Sequence, residues 1–262
     1  MNVVSSLDPL YILSGFFVGG LVGMTGVGGG SLMTPVLILL FGIHPVTAVG
    51  TDLLYAAATK TAGTLVHGLV GTIDWRIVGL LTSGSLPMAI LTVVALWWWH
   101  ASGGHTAHVI ELVLGVALLA TAVALVFRAR LIASLAVRAE RVGGRWTAAL
   151  TVLTGMALGV LVSLTSVGAG ALGVTALVLL YPRLPVPRIV GSDIVHAVPL
   201  TLVGGISHWL AGSVNGPILL SLLIGSLPGI VTGSYATSYV PERVLRLTLA
   251  AVLVVVGGKL VW

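Results

Sequence analysis

The side chains in this sequence that could carry chemistry are few, and they stand in apolar surroundings. Lys60 is the only basic residue deep within an apolar segment, and Asp52 and Asp193 are the only acids well inside such segments. An isolated charge at mid-bilayer costs about 2.5–3.5 kcal/mol, so it faces a cavity or a partner. Lys60 is therefore a cationic contact for an anion, a partner of Asp52, or a structural or snorkelling residue. Asp52 and Asp193 are either coupling sites for a proton or cation, or caps. Thr51-Asp52 and Ser192-Asp193 each follow a glycine and could open the helix behind them. His196 stands three residues after Asp193, on the same helical face, either as a proton relay or as a structural contact.

Two glycine-rich breaks accompany these groups, Thr25-Gly26-Val27-Gly28-Gly29-Gly30-Ser31 and Thr165-Ser166-Val167-Gly168-Ala169-Gly170. Each precedes a short apolar segment, 31–43 or 171–181. A helix restarting at Ser31 or Ala171 offers free N–H groups and roughly half a positive charge. Glycine admits a ligand to the backbone, and Thr25, Thr165 and Ser166 add hydroxyl donors. The breaks are thus a candidate anion site, made of Thr25, Gly28, Gly29, Gly30, Ser31 and Lys60 with Thr165, Ser166, Gly168, Ala169 and Gly170. The competing reading is that the glycines only permit close helix crossing.

Other chemistries fit less well. An intramembrane aspartyl protease would need Asp52 and Asp193 to share a proton at about 3 Å. No His-Glu-x-x-His or Gly-x-Ser-x-Gly pattern occurs. Cysteine is absent, so thiolate chemistry and disulfides are excluded. His100, His105 and His108 have no acid or fourth ligand fixed beside them. No cofactor or metal is expected.

The surrounding composition sets the class of protein. Of 262 residues, 57% are hydrophobic and 7% charged. Soluble domains average about 25% charged residues, so lipid must solvate most of the outer surface. The net charge of +5 does not mark a nucleic-acid partner, because Arg128, Arg130, Arg138, Arg141 and Arg145 share one short segment. That clustering is the pattern of cytoplasmic loops. No cleavable signal peptide is expected.

Apolar segments fall at about 9–24, 31–43, 45–72, 77–99, 109–127, 147–164, 171–181, 186–212, 217–239 and 244–262. The chain repeats itself. Thr25 corresponds to Thr165, Val49-Gly50-Thr51-Asp52 to Val190-Gly191-Ser192-Asp193, His67 to His208, Gly71 to Gly212, and Gly84-Ser85-Leu86-Pro87 to Gly225-Ser226-Leu227-Pro228. The offset stays at 140 to 141 residues throughout, aligning aspartates, histidines and prolines as well as apolar residues. The fold class expected is an all-α polytopic membrane protein of two inverted repeats. Each has about five helical segments, the first pair short and broken by a glycine-rich loop. Repeat 1 covers 1–127, a cytoplasmic linker 128–146, and repeat 2 147–262. Placing basic segments inside demands an even number of crossings from each broken pair and opposite insertion of the two copies, an arrangement found in transporters. Asp74 and Asn215 should cap the helices after them, and Trp97, Trp98 and Trp99 should form an interfacial belt.

The Thr25–Ser31 break, Val49–Asp52, Lys60-Thr61-Ala62-Gly63 and Gly71-Thr72-Ile73-Asp74-Trp75-Arg76 resemble the sulfite exporter TauE/SafE family, also called the toluene sulfonate uptake permease family. The resemblance extends over essentially the whole chain. It implies a multi-pass protein of the cell membrane that moves small sulfur-containing or organic anions by secondary transport, often exporting sulfite or sulfonates. The implied partners are a small anionic substrate, a coupling proton or cation, and lipid. An anion channel is the alternative. The second copy carries Ala169 where the first has Gly29, and Thr201 stands where Lys60 would recur.

Single cysteines introduced at 128–145 and at 213–216 should label from opposite sides of the membrane. Labelling of both from one side would exclude opposite insertion.

Overall fold

The computed structural model describes residues 8–25, 30–101, 106–139, 144–236 and 242–261. Among them the chain forms ten helices and no strand. They are α1 (Pro9–Thr25), α2 (Gly30–Leu39), α3 (Pro45–Val70), α4 (Trp75–Ala101), α5 (Thr106–Ala139), α6 (Gly144–Thr165), α7 (Ala171–Leu180), α8 (Val186–Leu210), α9 (Gly216–Ala236) and α10 (Glu242–Val261). Five contain stretches long and apolar enough to cross a membrane: Trp75–Trp98, Ile110–Phe127, Arg145–Thr165, Val186–Leu210 and Gly216–Gly233. Helices α2 and α7, at 10 residues each, are about 15 Å long and reach only about halfway through a hydrocarbon core.

The helix starts follow from local chemistry. Pro45 and Val186 open α3 and α8, with His44 and Pro185 as the residues before them. Proline suits the first helical turn because its missing N–H is one of the donors left over there. The Asp74 carboxylate accepts from the Arg76 and Ile77 N–H groups at the start of α4. Asn215 Oδ1 accepts from Ile218 N–H at the start of α9. Both residues therefore cap as the sequence suggests. Asp52 and Asp193 do not, since α3 and α8 begin seven residues before each of them. The proline-led starts pre-empt the caps, and both aspartates become interior helical residues. The stretch 128–139, expected within a linker, continues α5.

Packing links equivalent helices of the two repeats. Helix α3 lies along α8 and α5 along α10, while α1 pairs with α9 and α4 with α6. Gly50 sits where a Cβ would come within 2.7 Å of His208 Cβ and the Ser213 carbonyl. Its counterpart Gly191 sits where a Cβ would meet the Thr72 carbonyl at 2.6 Å and His67 Nδ1 at 3.0 Å. Between these ends Leu53 meets Gly204, Leu54 meets Gly205, and Gly63 meets Ile194. Helices α3 and α8 therefore run antiparallel, each helix start held against the turn that ends the other. Two hydrogen bonds close the seam. The Asp74 N–H donates to Ser192 Oγ at 2.8 Å, and the Asn215 N–H donates to Thr51 Oγ1 at 3.1 Å. The repeated glycines of α4 and α9 do similar work on the outer pairs. Gly84 lies on the Val152 carbonyl of α6, and Gly225 on the Ile12 carbonyl of α1. Such backbone contact is the usual way for helices to associate where lipid removes the hydrophobic drive.

A side chain at Gly191 would force α8 off the α3–α4 turn. Overpacking of this kind costs about 1–3 kcal/mol. Gly191→Leu should lower the melting temperature in detergent, whereas Gly79→Leu, with nothing within 4 Å of the added Cβ, should leave it unchanged. Equal melting of the two variants would remove the seam from the stability of the fold.

Candidate functional site

The polar residues of α3 and α8 are buried along the middle stretch of this seam. Asp52, Tyr55, Asp193 and His196 are 0% exposed and Lys60 7%. Tyr55 and His196 occupy equivalent places in the two repeats, three residues after their aspartates. His196 Nε2 bonds to Ser85 Oγ at 2.8 Å. Tyr55 lies correspondingly beside Ser226, outside strict bonding geometry. The seam register separates Asp52 from Asp193 by on the order of 20 Å along the helix axes. They cannot share a proton, which removes the protease geometry.

Lys60 reaches across to the second glycine-rich break, where its Nζ donates to the Ala169 carbonyl at 3.2 Å. It interacts electrostatically with both Asp193 and Asp52, and the stronger attraction is to Asp193. Lys60 therefore faces the aspartate of the other repeat as well as Asp52 of its own helix, through space and without a hydrogen bond to Asp193. The antiparallel register causes this, because it brings the start of α8 level with the later part of α3.

The two aspartates differ in how they are held. Asp52 Oδ2 accepts from the Thr34 N–H at 3.2 Å and from the Thr34 hydroxyl at 2.5 Å. It therefore anchors the first turns of α2, near the positive end of that helix. The Ser166 hydroxyl also lies against Asp52, though no strict hydrogen bond forms between them. Asp52 so stands between the start of α2 and the second break. Both oxygens of Asp193 lack a hydrogen-bond partner. The Gly170 N–H approaches this carboxylate without bonding geometry, and Asp193 Oδ1 packs on Gly173. Asp52 Oδ1, Tyr55 OH, Ser166 Oγ and His196 Nδ1 are likewise buried without partners. Buried polar atoms left this way mark a place for water, an ion or a ligand.

The second break is held in an unusual backbone shape. Ser166 has φ 59°, and Gly168 and Gly170 have φ 123° and 118°. A non-glycine residue in the left-handed region is uncommon, and such conformations concentrate at functional sites. Thr165 is committed locally. Its hydroxyl donates to the Leu161 carbonyl at 2.6 Å and accepts from the Val167 N–H at 3.1 Å. It closes the end of α6, while α7 starts at Ala171 with no side-chain cap.

For the first break, Thr25 ends α1 and Gly30 and Ser31 open α2. Gly28 and Gly29 lie outside the described residues. Leu32, Met33, Val167 and Ala171 belong to one buried apolar cluster, so the helix starts after the two breaks share a core. Sequence reasoning missed Thr34, Tyr55 and Ser85. Ser85 and its counterpart Ser226 were visible within the repeated Gly-Ser-Leu-Pro. Thr34 carried no signal.

Residues 11–260 match the sulfite exporter TauE/SafE family. The chain is 38% identical over 257 residues to the probable membrane transporter protein YjnA of Bacillus subtilis, covering 95% of this chain and 98% of that one. It is 25% identical over 271 residues to the probable membrane transporter protein MJ0441 of Methanocaldococcus jannaschii, covering 96% and 94%. No solved structure matches.

Asp52→Ala and Thr34→Val should both lower thermal stability, since a hydrogen bond to a charged group contributes about 1.5–3 kcal/mol. Asp193→Asn should lower it less, because that carboxylate makes no hydrogen bond to lose and Asp52 still opposes the charge of Lys60. A melting series in which Asp193→Asn is the least stable of the three would reverse these roles.

Proposed function

This chain belongs to the sulfite exporter TauE/SafE family, a family of multi-pass membrane transporters and not enzymes, and from that premise we propose that it exports a small anion such as sulfite, a sulfonate or a related organic anion by secondary transport. The observation that carries this reading is the hydrogen bond from buried Lys60 to the Ala169 carbonyl. It puts the buried lysine of the seam at an uncapped helix start, the kind of place that receives anions. Lys60, Ser166, Gly168, Ala169 and Gly170 form the core of the site, and the Thr25–Ser31 break completes it from the other repeat. Opposite insertion of the two repeats supplies the alternating access such a site needs. The antiparallel α3–α8 seam supports that arrangement.

Coupling follows from charge. Lys60 lies in the electrostatic field of Asp193 and Asp52 and offsets part of their charge. An anion that takes Lys60 leaves Asp193 as an unpaired buried carboxylate, a costly state. A proton on Asp193 removes the cost, so anion and proton load together. His196, one turn further along α8 and bonded to Ser85, is placed to pass that proton. Asp52 serves the same cycle by fixing α2 against the second break.

In proteoliposomes Lys60→Met should insert and fold but lose anion flux. Asp193→Asn should still exchange substrate while losing its response to a pH gradient. Full flux in Lys60→Met would remove Lys60 from the site, and unaltered gradient dependence in Asp193→Asn would remove the proton from it. Flux that neither saturates nor responds to any ion gradient would mean a channel.

A further inference from the structure

A cavity of about 480 Å³ opens at the end of the seam where α3 begins and α8 ends. Its polar lining is His44, Thr47, His208 and Ser213, and Val93 and Trp97 stand on its apolar wall. Among the described residues none that lines it is acidic. Helix α3, 26 residues long, starts there with no side-chain cap from His44. Its first-turn N–H groups and positive end therefore meet a space that also holds hydroxyl and imidazole groups. Pockets of about 300–1,000 Å³ with mostly apolar walls and a few polar groups are typical of small-molecule sites. An inorganic anion would fill little of this one.

The cavity also borders the apolar cluster that extends to the second break. Val46 and Ile110 line it, and both belong to the apolar layer that includes Val49, Leu53, Leu200 and Ala169. The Ala169 carbonyl is the group that holds Lys60. That cluster thus runs from the cavity to the break at which Lys60 bonds, about 20 Å along α3 from Val46 to Lys60. His208 stands at its edge, 5% exposed, lining the cavity while its Nε2 faces the Ser163 carbonyl at 3.3 Å.

We propose that this cavity is an entry or exit vestibule that binds an organic anion, with the charged head at the start of α3 and an apolar body against Val93 and Trp97, on the way to or from Lys60. This inference rests on the anion-transport reading above, and its test is read without measuring flux. The protein has no cysteine, so Val93→Cys gives a single thiol on the cavity wall, and Leu96→Cys is a second position should the first fail to fold. In reconstituted protein a negatively charged methanethiosulfonate reagent should label each thiol, with labelling followed by mass. Benzenesulfonate at about four times its dissociation constant should slow labelling about fivefold by simple occupancy. Methanesulfonate, which has no nucleophilic sulfur, should protect less at the same concentration, and Gly216→Cys, at the open start of α9, should label at an unchanged rate.

Thiols that stay unlabelled at both positions, or label at a rate benzenesulfonate does not alter, would overturn the vestibule. Protection by methanesulfonate equal to that by benzenesulfonate would overturn the apolar-body assignment. Wild-type flux measured beside these assays separates the two ideas. A transporting protein with an unprotected cavity loses only the vestibule, and a protected cavity in a protein that moves no anion loses only the transport reading.

Discussion

Everything polar in this protein is organised by the antiparallel contact of α3 with α8. Within a bilayer the backbone groups at helix ends and turns have no water to bond with. Here each helix start supplies what the opposing turn lacks. Gly50 and Gly191 let the turns at Ser213 and Thr72 come into backbone contact, and Thr51 and Ser192 receive the N–H groups of Asn215 and Asp74. The next residue in each motif, Asp52 or Asp193, is then carried into the centre of the molecule. The same four residues both fasten the seam and place its acids.

On this near-symmetric frame the polar side chains are not symmetric. Lys60 has Thr201 as its counterpart, bonded to its own helix at the Ala197 carbonyl. His196 is matched by Tyr55. Asp52 is bonded to Thr34, while Asp193 has no hydrogen-bond partner. One repeat therefore brings the cation, and the other brings the loosely held acid and the imidazole. A duplicated scaffold preserved for packing alone would have no reason to separate these groups across its halves. Their concentration around the Ala169 break sets that region apart from the rest of the seam.

Much of this was legible in the sequence for a physical reason. A repeat is visible when both copies need the same backbone contacts, as Val49–Asp52 and Val190–Asp193 do, and as Gly84 and Gly225 do. Caps at Asp74 and Asn215 were readable because they act over two or three residues. The roles of Asp52 and Asp193 were not. As caps they would have acted locally, but proline-led starts seven residues earlier made them long-range residues whose partners, Thr34 and Lys60, come from register alone. The same holds for Ser85, whose link to His196 spans 111 residues. At the 140-residue offset of the glycine-rich breaks Val174 stands opposite Thr34, and the neighbouring Thr175 bonds to its own helix at the Ala171 carbonyl, so the repeat did not announce Thr34.

The crossed bonds Asn215 to Thr51 and Asp74 to Ser192 also bear on how the chain holds together. Neither half completes its own central helix, because the turn that receives it lies in the other half. A chain of half this length would leave the Asp74 or Asn215 amide without its hydroxyl and the faces at Gly50 and Gly191 uncovered. The two halves therefore stand or fall as one cooperative unit.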